Sequence, residues 1–223
     1  MALDIRALIF DLDGVITDTA ELHYQSWKRL SEEEGIPFTR HDNEQLRGVD
    51  RRESLRRILK GQPIEESIAQ EWMTRKNNYY TTLLQDLTPD NRLPGVVNFL
   101  EEARAAGLKI GLGSASRNAN PVLDKLSLRS MFDVVGDGYS VARTKPAPDL
   151  FVWVAGALGV PPMQSVVFED AEAGIAAGLE GGFWTVGLGD PANVGRAHVL
   201  IRDLSQAAVR AILESVEQMS VKG

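Results

Sequence analysis

Short apolar segments alternate with helical segments from residue 94 to the end of the chain. The apolar segments predict strands over residues 108–113, 132–135, 165–168, 183–188 and 199–201. The intervening patterns predict helices over residues 95–106, 118–126, 148–158, 171–179 and 205–219. One further apolar segment, residues 8–10, predicts a buried strand near the start of the chain. Such alternation is typical of a parallel sheet with right-handed crossover connections, so we predict an α/β fold with a doubly wound, mainly parallel sheet as its core.

The segment between residues 17 and 87 differs, because it has helical patterns and no convincing strand. The predicted helices are residues 17–34, 43–46, 52–59 and 64–87. Gly35 and Pro37 end the first of them, as a glycine just beyond a helix and a following proline usually do. These patterns predict a small helical cap domain, residues 17–91, inserted into a core domain formed by residues 1–16 and 92–223.

The composition narrows the class of protein. The 223 residues suit one large domain or two small ones, and the net charge of −7 comes without a long basic run. Nucleic-acid and anionic-membrane surfaces need such a run, and a bilayer span needs about 20 apolar residues, which no segment approaches. The absence of cysteine excludes disulfides, cysteine-zinc sites and thiol catalysis. We therefore expect a cytoplasmic protein with no signal peptide and with neither nucleic-acid nor membrane partners.

Polar side chains follow three of the predicted strands. Asp11 and Asp13 follow the first strand, Ser114 ends the next, and Glu169 and Asp170 follow a later one. Because ligands bind outside the carboxyl ends of strands in such folds, we expect these side chains to meet at one edge of the sheet. Asp11 and Asp13 would leave the strand on the same side, about 6.6 Å apart. Carboxylates so close repel unless a cation such as Mg²⁺ holds them charged; an acidic turn that simply ends a strand is the alternative for an isolated pair.

This set of residues predicts phosphoryl transfer through a covalent carboxylate. Asp11 is the candidate nucleophile, and Asp13 is close enough to deliver and take up a proton. Mg²⁺ held by Asp11, Asp170 and Glu169 would neutralise the carboxylates and the incoming phosphoryl oxygens.

The transferring phosphate needs hydrogen-bond donors and positive charge at the same edge. Ser114 and the backbone N–H groups near Ala115 are the predicted donors. Lys145, in a loop just before a predicted helix, would add a fixed positive charge.

Four motifs resemble those of the haloacid dehalogenase superfamily. They are Phe-Asp-Leu-Asp-Gly-Val-Ile-Thr-Asp-Thr-Ala at residues 10–20, Ser-Ala-Ser at 114–116, Lys-Pro-Ala-Pro-Asp at 145–149 and Glu-Asp-Ala-Glu-Ala-Gly-Ile at 169–175. Within that superfamily they are most similar to the β-phosphoglucomutase subgroup, and residues 43–49 and 75–77 resemble that subgroup's cap. The resemblance implies a Mg²⁺-dependent phosphomutase that interconverts β-glucose 1-phosphate and β-glucose 6-phosphate, with β-glucose 1,6-bisphosphate as intermediate and activator.

The resemblance also implies a role for individual residues. It makes Asp11 the nucleophile and Asp13 the general acid and base. The backbone carbonyl of Asp13 would complete the metal site with Glu169 and Asp170. Ser114, Ala115 and Lys145 would bind the transferring phosphate, and the remaining substrate phosphate would be held by Arg51, Ser116 and Asn118.

Other positions depend on the resemblance more heavily. Arg117 and Arg47 stand where the subgroup often has lysine, and Arg117 is expected to bind substrate with Arg51. Thr19, His23 and Lys76 match positions linked to cap closure and to the suppression of water attack, and Lys76 is also expected to contact substrate. Taken alone, His23 is more typical of a surface or capping histidine. Trp27 is interpreted as either a cap-core residue or one that faces the entrance to the site.

Two alternatives to the mutase remain open. A phosphatase of small sugar or polyol phosphates would use the same fold, with water resolving phospho-Asp11. A non-catalytic binding domain would keep the fold, but the intact set of Asp11, Asp13, Lys145 and Asp170 argues against it. A second anion site at Arg51 and Arg117 and a closing cap that excludes water favour the mutase. The expected partner is a small sugar phosphate, and a cap that must open favours a monomer.

Overall fold

A computed structural model describes residues 3–222 of the chain. The predicted core domain begins at residue 1 and ends at residue 223, and residues 1, 2 and 223 lie outside the described part. Within that part, none of the helices has the length and apolar character needed to cross a membrane.

Six parallel strands form a single sheet, which confirms the predicted fold class. The strands are β1 (Ala7–Phe10), β2 (Lys109–Gly113), β3 (Val134–Gly136), β4 (Ser165–Glu169), β5 (Trp184–Leu188) and β6 (Val199–Ile201). Their order in the sheet is β3-β2-β1-β4-β5-β6, so that β1 lies between β2 and β4. The register pairs Phe10 with Leu112 on one side and with Phe168 on the other. The residues that follow β1, β2 and β4 are therefore brought to one edge of the sheet.

The helices of residues 3–222 fall into two groups. Those between β1 and residue 94 are α1 (Ala20–Glu33), α2 (Arg40–Glu44), α3 (Arg51–Ile58) and α4 (Glu66–Leu83). Those that alternate with the later strands are α5 (Val96–Ala105), α6 (Ala119–Lys125), α7 (Asp149–Leu158), α8 (Glu172–Glu180), α9 (Pro191–Val194) and α10 (Val209–Lys222). The two groups match the predicted division between cap and core in their secondary structure.

The observed helices differ from the predicted ones at a few places, and local capping explains one of them. Helix α2 begins three residues before its predicted start, because Thr39 forms a capping box with Asp42 ahead of it. Helix α9 was not predicted, since it has four residues, too few to show a helical period; Asp190 caps it and Pro191 opens it. Helix α10 begins at Val209, four residues after its predicted start.

Aromatic packing fills one face of the sheet. The rings of Phe10 and Phe168 stack at 4.6 Å, and Phe99 of α5 meets Phe10 edge-on at 6.1 Å. On the opposite face, Ile9 and Phe151 belong to a separate buried cluster beneath α7. Both faces of β1 are thus buried, as its uninterrupted apolar sequence requires.

The first four helices have a hydrophobic cluster of their own. Its buried members include Trp27, Leu30, Leu55 and Met73, and none of the residues of the sheet belongs to it. Trp27 therefore packs in the core of this helical segment, in agreement with one of its two interpretations, and it also lines the cavity described below, in agreement with the other.

Two chain connections join this helical segment to the sheet. Thr17 bridges to Arg92, its hydroxyl donates to the Asn91 carbonyl at 2.8 Å, and the Leu93 N–H donates to the Ile16 carbonyl at 2.9 Å. The two connections are thus paired side by side. The exact domain boundaries stay predictions.

Two glycines that flank α5 provide a matched test of backbone packing. Gly95 and Gly107 both have a positive φ, but an added Cβ would lie 2.2 Å from the Leu204 carbonyl at Gly95 and in open space at Gly107. We expect Gly107→Ala to cost about 1–2 kcal/mol, because the left-handed conformation disfavours a Cβ. Gly95→Ala adds an overpacking cost of about 1–3 kcal/mol, since backbone cannot move aside easily. Urea denaturation of both variants measures the difference, and equal losses would contradict the packing argument.

Candidate active site

Three carboxylates converge where β1 and β4 end. One side-chain oxygen from each of Asp11, Glu169 and Asp170 lies within 4.8 Å of the others. Glu169 is the last residue of β4, and Asp11 is held beside it because its N–H donates to the Phe168 carbonyl at 2.9 Å. The sheet register thus assembles the three predicted metal-ligand side chains of this cluster.

A buried lysine links two members of the carboxylate cluster. The Lys145 ammonium donates to Asp11 Oδ1 and, at 2.8 Å, to Glu169 Oε2. Burial alone would lower the pKa of Lys145, but the charges of Asp11 and Glu169 outweigh it and raise that pKa above its ordinary value. Lys145 therefore stays charged and offsets part of the negative charge around Asp11.

The carboxylate cluster fits a divalent cation. Burial and then the Asp11 charge raise the pKa of Asp170 to about 6, and they raise that of Glu169 well above its usual value. A site with this excess of negative charge and with oxygen donors matches what Mg²⁺ prefers. Gly14 leaves room for the Asp170 carboxylate, because a Cβ at residue 14 would lie 2.0 Å from Asp170 Oδ2.

Asp13 lies near this cluster, but its carboxylate is not one of the three. The strand ends at Phe10, so Asp11 and Asp13 do not continue it, but both side chains line one cavity and so emerge on the same side, as expected. The chain turns, with the Gly14 N–H donating to the Thr17 carbonyl at 2.7 Å. The Thr19 hydroxyl donates to the Asp13 carboxylate. Burial and then the Asp11 charge raise the pKa of Asp13 to about 7, which suits a group that exchanges protons at neutral pH.

The loop after β2 presents polar groups beside the carboxylates. Ser114 is buried, and its hydroxyl accepts the Ser116 N–H at 3.1 Å. The Ser116 hydroxyl in turn accepts the Asn118 N–H at 3.2 Å. These bonds fix the course of the loop through Ala115.

A cavity of about 390 Å³ opens between this sheet edge and the helical segment. Most of the predicted site residues line it, namely Asp11, Asp13, His23, Trp27, Arg47, Arg51, Lys76, Ser114, Ala115, Ser116, Arg117 and Asp170. Of the others, Thr19, Lys145 and Asn118 each donate a hydrogen bond to a lining residue, and Glu169 lies behind Lys145. The structure thus brings the whole predicted set to one cavity and its wall.

Two guanidinium groups, those of Arg51 and Arg117, line the same cavity. Burial, followed by the Arg117 charge, lowers the pKa of Arg51, so the two positive groups lie close enough to repel. Arg51 donates to Asn77 Oδ1 at 2.7 Å, and Arg117 lies over the Tyr139 ring. Neither is paired with a carboxylate among the described residues. Two such groups are suited to bind an anion.

Arg47 has a different partner from these two arginines. It donates to Asp170 Oδ2 at 2.8 Å and lies 3.0 Å from Glu44. The side chain therefore connects the helical segment directly to the carboxylate cluster.

His23 and the buried Lys76 form a close pair beside Tyr80. Lys76 Nζ lies 2.8 Å from His23 Nδ1, and the His23 and Tyr80 ring centroids are 4.2 Å apart. Burial lowers the pKa of both His23 and Lys76 well below their usual values, and the Lys76 charge adds to the effect on His23. The interpretation of His23 as a surface or capping residue is therefore wrong.

Three residues that the sequence did not single out connect the helical segment to the sheet edge. Asn77 accepts from Asn118 Nδ2 at 3.0 Å as well as from Arg51, and Asp50 accepts from the Thr144 hydroxyl at 2.8 Å. Asn77 belongs to the 75–77 segment already noted for its resemblance, which was the available signal. The sequence carries no such signal for Asp50 and Thr144, because short polar residues in loops fit many environments.

Comparison with known proteins gives the family. Residues 5–182 match the family model of haloacid dehalogenase-like hydrolases. The chain belongs to this family. It is 40% identical to a protein of Bacillus subtilis named beta-phosphoglucomutase over 98% of both chains. It is 30% identical to a Thermotoga maritima protein named phosphorylated carbohydrates phosphatase, over 97% of this chain and 98% of that one.

A solved structure of a family member has the same architecture. The crystal structure of beta-phosphoglucomutase from Clostridium difficile superimposes with a TM-score of 0.94 at 37% identity, covering 97% of this chain and 99% of that one. The helical segment and the sheet therefore share the arrangement of this haloacid dehalogenase-like protein over nearly their whole length.

The raised pKa of Asp13 predicts a pH-dependent gain in stability for Asp13→Asn without metal. The folded pKa of about 7 exceeds the ordinary aspartate value of 3.8, so ionised Asp13 destabilises the fold above pH 7, and this cost is absent below about pH 4. We expect the variant to be more stable than the wild type by about 1–3 kcal/mol at pH 8 and equally stable at pH 4. Denaturation in EDTA measures this, with the exposed Asp124→Asn as control; a pH-independent difference would contradict the assignment.

Proposed function

We propose that the protein is a β-phosphoglucomutase, which interconverts β-D-glucose 1-phosphate and β-D-glucose 6-phosphate. The observation that carries the proposal is one cavity lined both by Asp11 in its carboxylate cluster and by the guanidiniums of Arg51 and Arg117. A sugar bisphosphate has two phosphates and therefore needs two phosphate-binding sites. The relatives named beta-phosphoglucomutase in B. subtilis and C. difficile support the same substrate.

Asp11 is the proposed nucleophile and carries the phosphoryl group between substrates. Phospho-Asp11 transfers its phosphoryl group to the 6-hydroxyl of β-glucose 1-phosphate, and Asp13 takes the proton from that hydroxyl. The resulting β-glucose 1,6-bisphosphate turns over within the site. The Asp11 carboxylate then attacks its C1 phosphate while Asp13 returns the proton to the leaving oxygen, which releases glucose 6-phosphate and restores phospho-Asp11.

Other residues hold the two phosphates in these steps. Lys145 and the Ser114 loop, with the backbone at Ala115, bind the transferring phosphoryl group and stabilise its developing charge. Arg51, Arg117, Ser116 and Asn118 bind the phosphate that is not transferred. Asn77 supports this second group, because it bonds to both Arg51 and Asn118.

Asp11, Glu169, Asp170 and the backbone carbonyl of Asp13 are the proposed ligands of one Mg²⁺ ion. When bound, this ion neutralises the carboxylates and polarises the phosphoryl oxygens. The Asp11–Glu169–Asp170 cluster with its raised pKa values supports this part of the proposal.

The buried group around Tyr80 is proposed to link cap position to proton transfer. The Tyr80 hydroxyl, from α4, donates to Thr19 at 3.2 Å, and the Thr19 hydroxyl donates to Asp13. His23 and Lys76 pack against the same ring, and Lys76 and Trp27 line the cavity that would hold the sugar. A closed cap excludes water from phospho-Asp11 and so favours transfer to sugar over hydrolysis. We further expect a monomeric enzyme, because a cap that opens must stay free of partners. We also expect the enzyme to be cytoplasmic.

Phosphorus-31 NMR tests the mutase directly. With Mg²⁺ and β-glucose 1-phosphate, we expect rapid formation of glucose 6-phosphate only after a trace of β-glucose 1,6-bisphosphate is added, because that compound charges Asp11. Asp11→Asn should abolish the reaction, whereas the exposed Asp124→Asn should not. Inorganic phosphate as the main product would replace the mutase with a phosphatase, the activity named for the T. maritima relative.

Mg²⁺ is expected to stabilise the wild-type protein and to bind more weakly as the pH falls. Binding at about 100 times the dissociation constant stabilises a fold by roughly 2.7 kcal/mol. Protons compete for Asp170 below its pKa of about 6, so affinity should fall between pH 7 and pH 5. Titration calorimetry and thermal unfolding measure both effects, with Asp170→Asn as the variant that loses them. Unchanged binding in that variant would place the metal elsewhere.

A further inference from the structure

A large aromatic side chain is exposed beside Arg117, one of the residues that line the cavity. Tyr139 follows β3 and is 72% exposed. Burial therefore contributes little to the stability of this ring in its position. The Arg117 guanidinium carbon lies 4.7 Å from the centre of its ring, within the range of a cation–π contact. No motif in the sequence pointed to this residue.

The turn that carries Tyr139 is built against the loop that carries Arg117. Asp137 Oδ1 accepts the Tyr139 N–H at 2.9 Å, and the Gly138 N–H donates to the Ser116 carbonyl at 3.2 Å. A Cβ on Gly138 would lie 2.7 Å from the Ala115 carbonyl oxygen and 2.9 Å from Arg117 Cγ. The glycine therefore allows a close approach that brings the Tyr139 ring to Arg117.

Arg117 needs such a support. Its side chain makes neither a hydrogen bond nor an ion pair within residues 3–222, and it lines the cavity with another positive group, Arg51. Repulsion between the two and the free rotation of a long side chain both favour an Arg117 that turns away into solvent. The Tyr139 ring offers a surface that keeps the guanidinium at the cavity.

We propose that Tyr139 is a positioning residue that holds Arg117 at the cavity beside Arg51 and so strengthens binding of the phosphate that is not transferred. The inference rests on the proposed function, because it assigns that phosphate to Arg51 and Arg117. Tyr139 acts through Arg117, and its aromatic ring is the part that matters.

Binding without turnover is the direct test. Titration calorimetry with β-glucose 1,6-bisphosphate is carried out on Asp11→Asn protein, which cannot accept a phosphoryl group. In this background, Tyr139→Leu should weaken binding by about three- to fivefold, the effect of one exposed cation–π contact. Tyr139→Phe, which keeps the ring, should bind as tightly as the parent.

A double-mutant comparison separates positioning from a general structural effect. In an Arg117→Ala background, Tyr139→Leu should change the affinity no further, because the ring has no guanidinium to hold. The matched control is Tyr79→Leu, which also removes a cation–π contact. In that contact the Arg29 guanidinium lies 3.9 Å from the ring centre, and neither residue lines the cavity. This variant should leave the affinity unchanged. A loss that persists without Arg117, an equal loss in the control, or no loss in Tyr139→Leu would overturn the proposal.

Kinetics of the Asp11-intact protein distinguish this proposal from the proposed function. Tyr139→Leu should raise KM for β-glucose 1-phosphate. The rate at which acetyl phosphate phosphorylates Asp11 should stay within twofold of the wild type, because acetyl phosphate has one phosphoryl group. If the wild type fails to form glucose 6-phosphate but the bisphosphate still binds in a Tyr139- and Arg117-dependent way, the mutase fails and the positioning role stands. If the bisphosphate does not bind at all, both fail.

Discussion

The ion pairs of Lys145 with Asp11 and Glu169 are the interaction on which the rest of the site depends. β1 and β4 are neighbours in the sheet, so their ends bring carboxylates together in surroundings that disfavour negative charge. Lys145 is fully buried and bonds to two of them at once. Removing it would leave Asp11 and Glu169 buried and uncompensated, which is a costly arrangement. The loop that carries Lys145 is therefore as much part of this edge as the strands themselves.

The helical segment completes the cavity through polar contacts from several elements. Arg47 reaches Asp170, Asp50 reaches Thr144, and Asn77 joins Arg51 to Asn118. Most buried apolar residues of this segment, such as Leu30 and Leu55, form a cluster of their own, whereas Tyr80 of α4 and Leu84 belong to the cluster of the sheet. The segment is thus folded around its own core and meets the sheet edge through side chains suited to charged ligands.

Much of the fold and site could be predicted from sequence because they depend on local patterns and strand order. Buried strands such as β1 and β4 are short apolar runs, and the residue after each falls at the ligand-binding edge whatever the details of packing. The path of Asp13 could not be predicted, since it depends on a turn closed by Gly14 and Thr17. Nor could the contacts of Arg47, Asn77 and Tyr139, because long or neutral polar side chains find partners only once tertiary structure fixes their neighbours.

The polar character of the contacts between helical segment and sheet has a consequence for motion. When hydrogen-bonded groups separate, water replaces each lost partner, so a typical hydrogen bond contributes only about 0.5–1.5 kcal/mol net. The contacts of Asp50 with Thr144 and of Asn77 with Asn118 are polar, whereas Tyr80 of α4 shares the hydrophobic cluster of the sheet. Water thus acts as the alternative partner for these polar groups, so that breaking each of these hydrogen bonds costs little free energy.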